Sequence, residues 1–107
     1  MDCKAKGRRR EHQARDLLET EGFAVTRAAG SLGTFDLVAI RRDPQPDNYL
    51  PVLRLIQVKS NRWPRSDEAR TLQAESGRYS PLFVSVEVWR FDDGDGVPRV
   101  RRLGEDG

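Results

Sequence analysis

The chain reads as one α/β domain in the order αβββαββ, with a central mixed sheet flanked by helices, and three features point there. An amphipathic stripe opens the chain and stops at a glycine. Two short runs rich in Leu, Val and Ile, Thr34 to Ile40 and Val52 to Lys59, flank a loop of turn-forming residues. A polar connector and a second short helix then lead to a longer apolar strand. With 107 residues there is enough chain for one core and too little for two, so the domain is taken to span residues 1–107.

The first helix is expected from about Lys4 to Glu21, with Ala14, Leu17, Leu18 and Glu21 on its inner stripe and Gly22 as the C′ residue that ends it. Phe23 to Arg27 forms the first strand, and Ala28-Ala29-Gly30-Ser31-Leu32-Gly33 turns the chain into the second, Thr34 to Ile40. Arg41 to Asn48 is the loop of a hairpin whose return strand is Val52 to Lys59. Ser60 to Ser66 is a connector, and a helix from about Asp67 to Ser76 is closed by Gly77. In the strand Pro81 to Phe91, Leu82, Val84, Val86 and Val88 face one side, with Phe83, Trp89 and Phe91 partly covering the other. Asp93-Gly94-Asp95-Gly96 leads into a last strand, Val97 to Leu103, whose arginines mark it as an edge.

Composition narrows the function classes. Charged residues make up 34% of the chain, yet the net charge is only +2, because sixteen Arg and three Lys face seventeen acidic residues. Several of those acids gather at Asp92-Asp93-Gly94-Asp95 and Glu105-Asp106, which leaves the positive charge local. The preference for Arg suits bidentate phosphate contacts; a GC-rich or heat-adapted host would produce the same skew. The single cysteine, Cys3, excludes an internal disulfide and fits a reducing compartment. No apolar stretch reaches the length of a membrane span or a signal segment, so a cytoplasmic protein without a membrane partner is expected. The glycine-bearing Ala29 to Gly33 lacks the Lys-Ser/Thr end of a phosphate loop, which argues against a nucleotide cofactor.

The candidate site comes from the hairpin. If its loop is centred between Pro46 and Asp47, Asp36 falls directly opposite Gln57, and Lys59 joins Gln57 on the same face. A carboxylate, a carbonyl oxygen and an ammonium would then share one patch, a set suited to metal-assisted phosphodiester cleavage. Alone, Asp36 would read as a satisfied turn residue and Lys59 as solvent-facing. Together they need another explanation, because an ionised carboxylate within Phe35-Asp36-Leu37-Val38-Ala39-Ile40 costs stability unless it is compensated. Glu11, three residues before Ala14 and seven before Leu18, lies on the inner stripe of the helix and joins the patch, although a Glu early in a helix is also ordinary. Arg8, Arg9 and Arg10 beside it, with Arg27, Arg62 and Arg65, are the expected DNA backbone contacts. His12 has no ligand partner at metal spacing, and Trp63 and Tyr79 would stack on a base or pack at an interface.

Arg10-Glu11, Gly22-Phe23-Ala24-Val25-Thr26-Arg27, Ala29-Gly30-Ser31, Phe35-Asp36-Leu37-Val38-Ala39 and Gln57-Val58-Lys59-Ser60 together resemble the archaeal-type Holliday junction resolvases of the PD-(D/E)xK nuclease superfamily. The resemblance is close from Arg10 to Ser60 and loose beyond, and its motifs are short individually but specific in this order and spacing. It implies a restriction-endonuclease-like core and a Mg2+-dependent homodimer, with Mn2+ able to substitute, that makes paired symmetric nicks in four-way DNA junctions. By position it implies that Asp36, Gln57 and Glu11 hold the metal, that Lys59 is the catalytic lysine, and that Ser31 is a loop serine acting in cleavage. Ser31 also reads simply as a turn residue. Gln57 departs from the family, where Glu is usual; its carbonyl still suits Mg2+, with one negative charge fewer and weaker metal binding expected. Two alternatives stay open: a related nuclease acting on flaps, forks or duplex DNA, and a DNA-binding module with little or no catalysis.

Overall fold

The computed structural model describes residues 3–28, 34–41, 52–79 and 83–103, with side chains from residue 7 onward. Helix α1 (Cys3–Thr20) buries Ala14 and Leu18 completely and Leu17 in part against the sheet. It stops short of Glu21, which was expected on the inner stripe; Glu21 is exposed in the closing turn and pairs with Arg54 at 3.5 Å. The Gly22 N–H donates to Glu19 O at 3.1 Å, and Gly22 takes φ +96°, a left-handed conformation that a side chain resists. Nothing lies within 4 Å of a Cβ built there, so the cost of a side chain is conformational alone. Gly22→Ala is therefore expected to lose about 1–2 kcal/mol in urea unfolding. Gly77, also expected to end a helix, sits at φ −68° with only an ordinary contact for a Cβ, 3.5 Å from Ala74 O. Gly77→Ala is expected to be neutral or slightly stabilising in the same assay.

The five strands are β1 (Phe23–Arg27), β2 (Leu37–Arg41), β3 (Leu53–Ser60), β4 (Val84–Phe91) and β5 (Arg99–Leu103), with α2 (Ser66–Ser76) between β3 and β4. They form one mixed sheet in the order β1-β2-β3-β4-β5, antiparallel except for the parallel pair β3–β4. A parallel pair needs a crossover, which is the role of the segment carrying α2. The β2–β3 register sets Leu37 opposite Ile56 and Val38 opposite Leu55, the pairing expected for a loop centred at Pro46 and Asp47. That loop, the turn from Ala29 to Gly33, and Pro81 and Leu82 lie outside the described residues.

Alternation along the strands divides the core in two. Leu37, Ala39, Ile56, Trp89 and Phe91 pack with Ala14 and Leu18 of α1, while Phe35, Leu55, Val86 and Val88 pack with Leu72 of α2. β2, β4 and β5 begin later than expected: β4 opens at Val84, which leaves Phe83 in a turn before it and 51% exposed. β2 opens at Leu37 because the chain bends at Asp36, and β5 opens at Arg99 because Pro98 has no N–H for the ladder, which leaves Val97 75% exposed. The α1 face also carries a buried ion pair: Glu87, fully enclosed, accepts from Arg54 Nε (2.8 Å) and Nη2 (2.7 Å) and from Trp89 Nε1 (2.8 Å). Among the described residues no helix is long and apolar enough to cross a membrane.

Candidate functional site

The bend before β2, the end of β3 and the first turn of α2 meet at one end of the sheet, and α1 brings Glu11 within electrostatic range. Asp36 is fixed there by its backbone: its N–H donates to Ile56 O (2.8 Å) and its carbonyl accepts from Ala28 N–H (2.9 Å). Its carboxylate Oδ2 accepts from the Val58 N–H at 2.7 Å. Burial pushes the Asp36 carboxyl above its ordinary range, and the nearby Glu11 charge adds to that, while the Val58 N–H, Lys59 and Arg27 pull it down. Burial prevails, so the ionised carboxylate is left with less compensation than it needs.

Gln57 is 8% exposed, and its Nε2 donates to Thr34 O at 3.2 Å. That contact orients the amide, since a flipped group would set oxygen against the Thr34 carbonyl. Among the described residues the correctly placed Oε1 is then buried without any hydrogen-bond partner, as is Thr34 Oγ1. Asp36 and Gln57 clasp each other's neighbours, the carboxylate on the amide of Val58 and the carboxamide on the carbonyl of Thr34. A buried acceptor without a donor costs about 1–3 kcal/mol, which stability alone does not explain.

Lys59 follows on the same face by alternation, but its Nζ is not free: it donates to Glu68 Oε2 on α2. The other oxygen, Glu68 Oε1, accepts from Arg62 Nη1 and from the Arg65 backbone N–H, each at 3.3 Å. The Lys59 hydrogen bond is the chief reason that the Glu68 carboxyl is pushed down to about 2. Glu68 thus contributes stability above its unfolded value of 4.5 and loses it as pH falls toward about 2. Comparing wild type with Glu68→Gln in acid unfolding should show a difference, no more than about 1 kcal/mol for a part-exposed pair, that disappears across that window. The sequence reading missed Glu68; its only sequence mark is its place three residues after Arg65, where a Glu reaches back to the first backbone N–H of a helix.

Glu11 is paired with Arg27 Nε at 3.0 Å, which joins β1 to α1 beside the carboxylates. Among the expected backbone contacts, Arg8, Arg9 and Arg65 are exposed on the surface. Arg10 is turned inward, 12% exposed, where it donates to Gln13 Oε1, to Asp92 O and to Asp93 Oδ1 and lies over the Phe91 ring; it fastens α1 to the turn after β4. Arg62 is half exposed and engaged by Glu68. Trp63 is covered by Arg101 at 4.0 Å, and Tyr79 packs on the α2-side core, so neither presents an open ring. Ser31 lies outside the described residues.

Among the described residues no three His, Cys, Asp or Glu side chains converge as a metal cage. The oxygens that could serve a hard cation are those of Asp36, which is under-compensated, of Gln57, whose Oε1 lacks a donor among the described residues, and of Glu11, whose charge acts on Asp36. Such ions retain several waters and need few protein ligands. Compared with known proteins, the chain matches no family model and no curated relative.

Proposed function

We propose that this protein is a Mg2+-dependent endonuclease that hydrolyses DNA phosphodiester bonds, resolving four-way junctions as a homodimer. The observation that carries this reading is the pair formed by the under-compensated Asp36 carboxylate and the orphaned Gln57 Oε1, with Lys59 next on the same face. The substrate class is the one implied by the resemblance of the Arg10-Glu11, Asp36 and Gln57-Val58-Lys59 motifs to archaeal-type Holliday junction resolvases.

Asp36 and Gln57 would hold Mg2+, with Glu11 contributing once it leaves Arg27. At such a site Mg2+ supplies charge neutralisation on the phosphate and a water of lowered pKa. Asp36 would supply negative charge to the cation from a backbone pinned on both sides, by the Ile56 carbonyl and the Ala28 N–H. Lys59, once drawn from Glu68 by a phosphate, would orient the attacking water or stabilise charge on the pentavalent phosphorus. Exposed Arg8 and Arg9 would add sequence-independent backbone contacts.

The test is gel analysis of matched labelled DNAs incubated with protein and Mg2+: four-way junction, flap, fork and linear duplex. Symmetric nicks confined to the junction are the expected result. Equal or faster cutting of flap, fork or duplex would move the substrate to a related nuclease class. One observation favours a second reading, a DNA-binding module: Lys59 is neutralised by Glu68, and position 57 lacks a charge. Binding without cleavage in Mg2+ or Mn2+ would establish it.

A further inference from the structure

A row of cations runs from the candidate site across the sheet. The parallel register sets Lys59 beside Arg90, the antiparallel register sets Arg90 beside Arg99, and one step inward Gln57, Val88 and Arg101 align in the same way. Alternation puts Lys59, Arg90, Arg99 and Arg101 on the face shared with Val86 and Val88, the face that α2 covers further along. Adjacent strands are about 4.8 Å apart, so these are close neighbours. Like charges directly opposite one another are destabilising, and Arg90 and Arg99 are directly opposite. Two carboxylates offset part of the row: Glu68 takes Lys59 and Arg62, and Asp92 takes Arg90 at 2.8 Å and Arg99 at 3.8 Å. The outer positions keep their access to solvent, with Arg99 68% exposed and Arg101 also exposed. Arg101 is held in place, its guanidinium stacked 4.0 Å from the centre of the Trp63 ring, with Arg90 over the same ring at 5.6 Å.

We infer that this β3–β4–β5 face binds the DNA sugar-phosphate backbone as it leaves the Asp36–Lys59 site, with Arg99 and Arg101 as its outer phosphate contacts. The inference rests on the nuclease reading and extends it to the direction in which the DNA runs. A row of cations in strand register, one of them stacked on an indole, is complementary to a regularly spaced polyanion. Asp92 of the acidic Asp92-Asp93-Gly94-Asp95 turn already holds Arg90 and Arg99, so a phosphate at Arg99 would take that guanidinium from Asp92. Neither Arg99 nor Arg101 carries any part of the hydrolysis.

The experiment is fluorescence anisotropy of the full chain with a labelled four-way junction in EDTA, over a series of salt concentrations. Wild type is compared with Arg99→Gln/Arg101→Gln and with Arg78→Gln, a control at an exposed residue in the turn after α2. Each phosphate contact contributes about 0.9 to the slope of log affinity against log salt, so the double variant should lower the slope by up to about 1.8 and weaken binding about tenfold or more. The Arg78 variant should match wild type. Because Arg101 packs on Trp63, Arg99→Gln alone is the second variant and should lose about half of the slope change. Wild-type slope and affinity in both variants would overturn the inference and leave the nuclease reading intact. A wild type that binds no DNA would overturn both.

Discussion

Asp36→Asn is expected to abolish cleavage and to make the protein more stable. Cleavage should fall by at least about 10²–10³-fold, the usual loss when a group that stabilises transition-state charge is removed. Junction binding should persist, because the proposed backbone contacts at Arg8, Arg9, Arg99 and Arg101 lie elsewhere. The gain in stability follows from the sign of the Asp36 shift. Its folded pKa is raised above 3.8, so its favourable contribution is complete below that value and is lost as pH rises through the folded pKa. At neutral pH the ionised group opposes folding. Asn carries no charge and retains an oxygen for the Val58 N–H, so the variant should be more stable, with a higher Tm. Thermal melts at neutral pH in EDTA measure this, and a less stable variant would show that Asp36 is there for the fold.

Glu87→Gln should have the largest effect on stability of any single change described. Glu87 is wholly buried and accepts from both Arg54 and Trp89, and Arg54 is itself only 12% exposed and stacked on the Phe23 and Trp89 rings. Removing the carboxylate leaves the buried guanidinium with only the exposed Glu21 carboxylate at 3.5 Å, a loss of about 3–5 kcal/mol out of a typical total of roughly 5–15. Tm should drop by well over about 10 °C. Arg54→Met combined with Glu87→Gln should recover most of the loss, since the Gln oxygen still accepts from Trp89 and neither buried charge remains, while Glu21 is exposed to solvent. The Arg54 hydrogen bonds and charge hold Glu87 below its ordinary range despite its burial, so its contribution is present above 4.5 and lost as pH falls through the lowered value.

The hairpin was legible because two alternating apolar runs and a proline-bearing loop between them allow few registers, and the expected pairing of Leu37 with Ile56 is the one found. What escaped depends on packing between distant elements. Glu87 reads as a polar interruption in Val84-Ser85-Val86-Glu87-Val88; only the interior place of β4, between β3 and β5 with helices against both faces, buries it on Arg54. Glu68 reads as a favourable charge in a first helical turn, and its capture of Lys59 appears only when α2 folds back over the end of β3. Arg10 reads as part of a basic run, yet a turn more than eighty residues away draws it inward. The cation row escaped because β3, β4 and β5 align only in the folded sheet.

The cation site itself can be examined by melting wild type and Asp36→Asn in EDTA and again with excess Mg2+. Wild type should gain stability, roughly 1.4 kcal/mol when Mg2+ is at about tenfold its Kd, and Asp36→Asn should gain none, so that the variant's advantage in EDTA shrinks or reverses. No Mg2+ effect on wild type, or the same shift in both proteins, would contradict a cation site at Asp36 and Gln57.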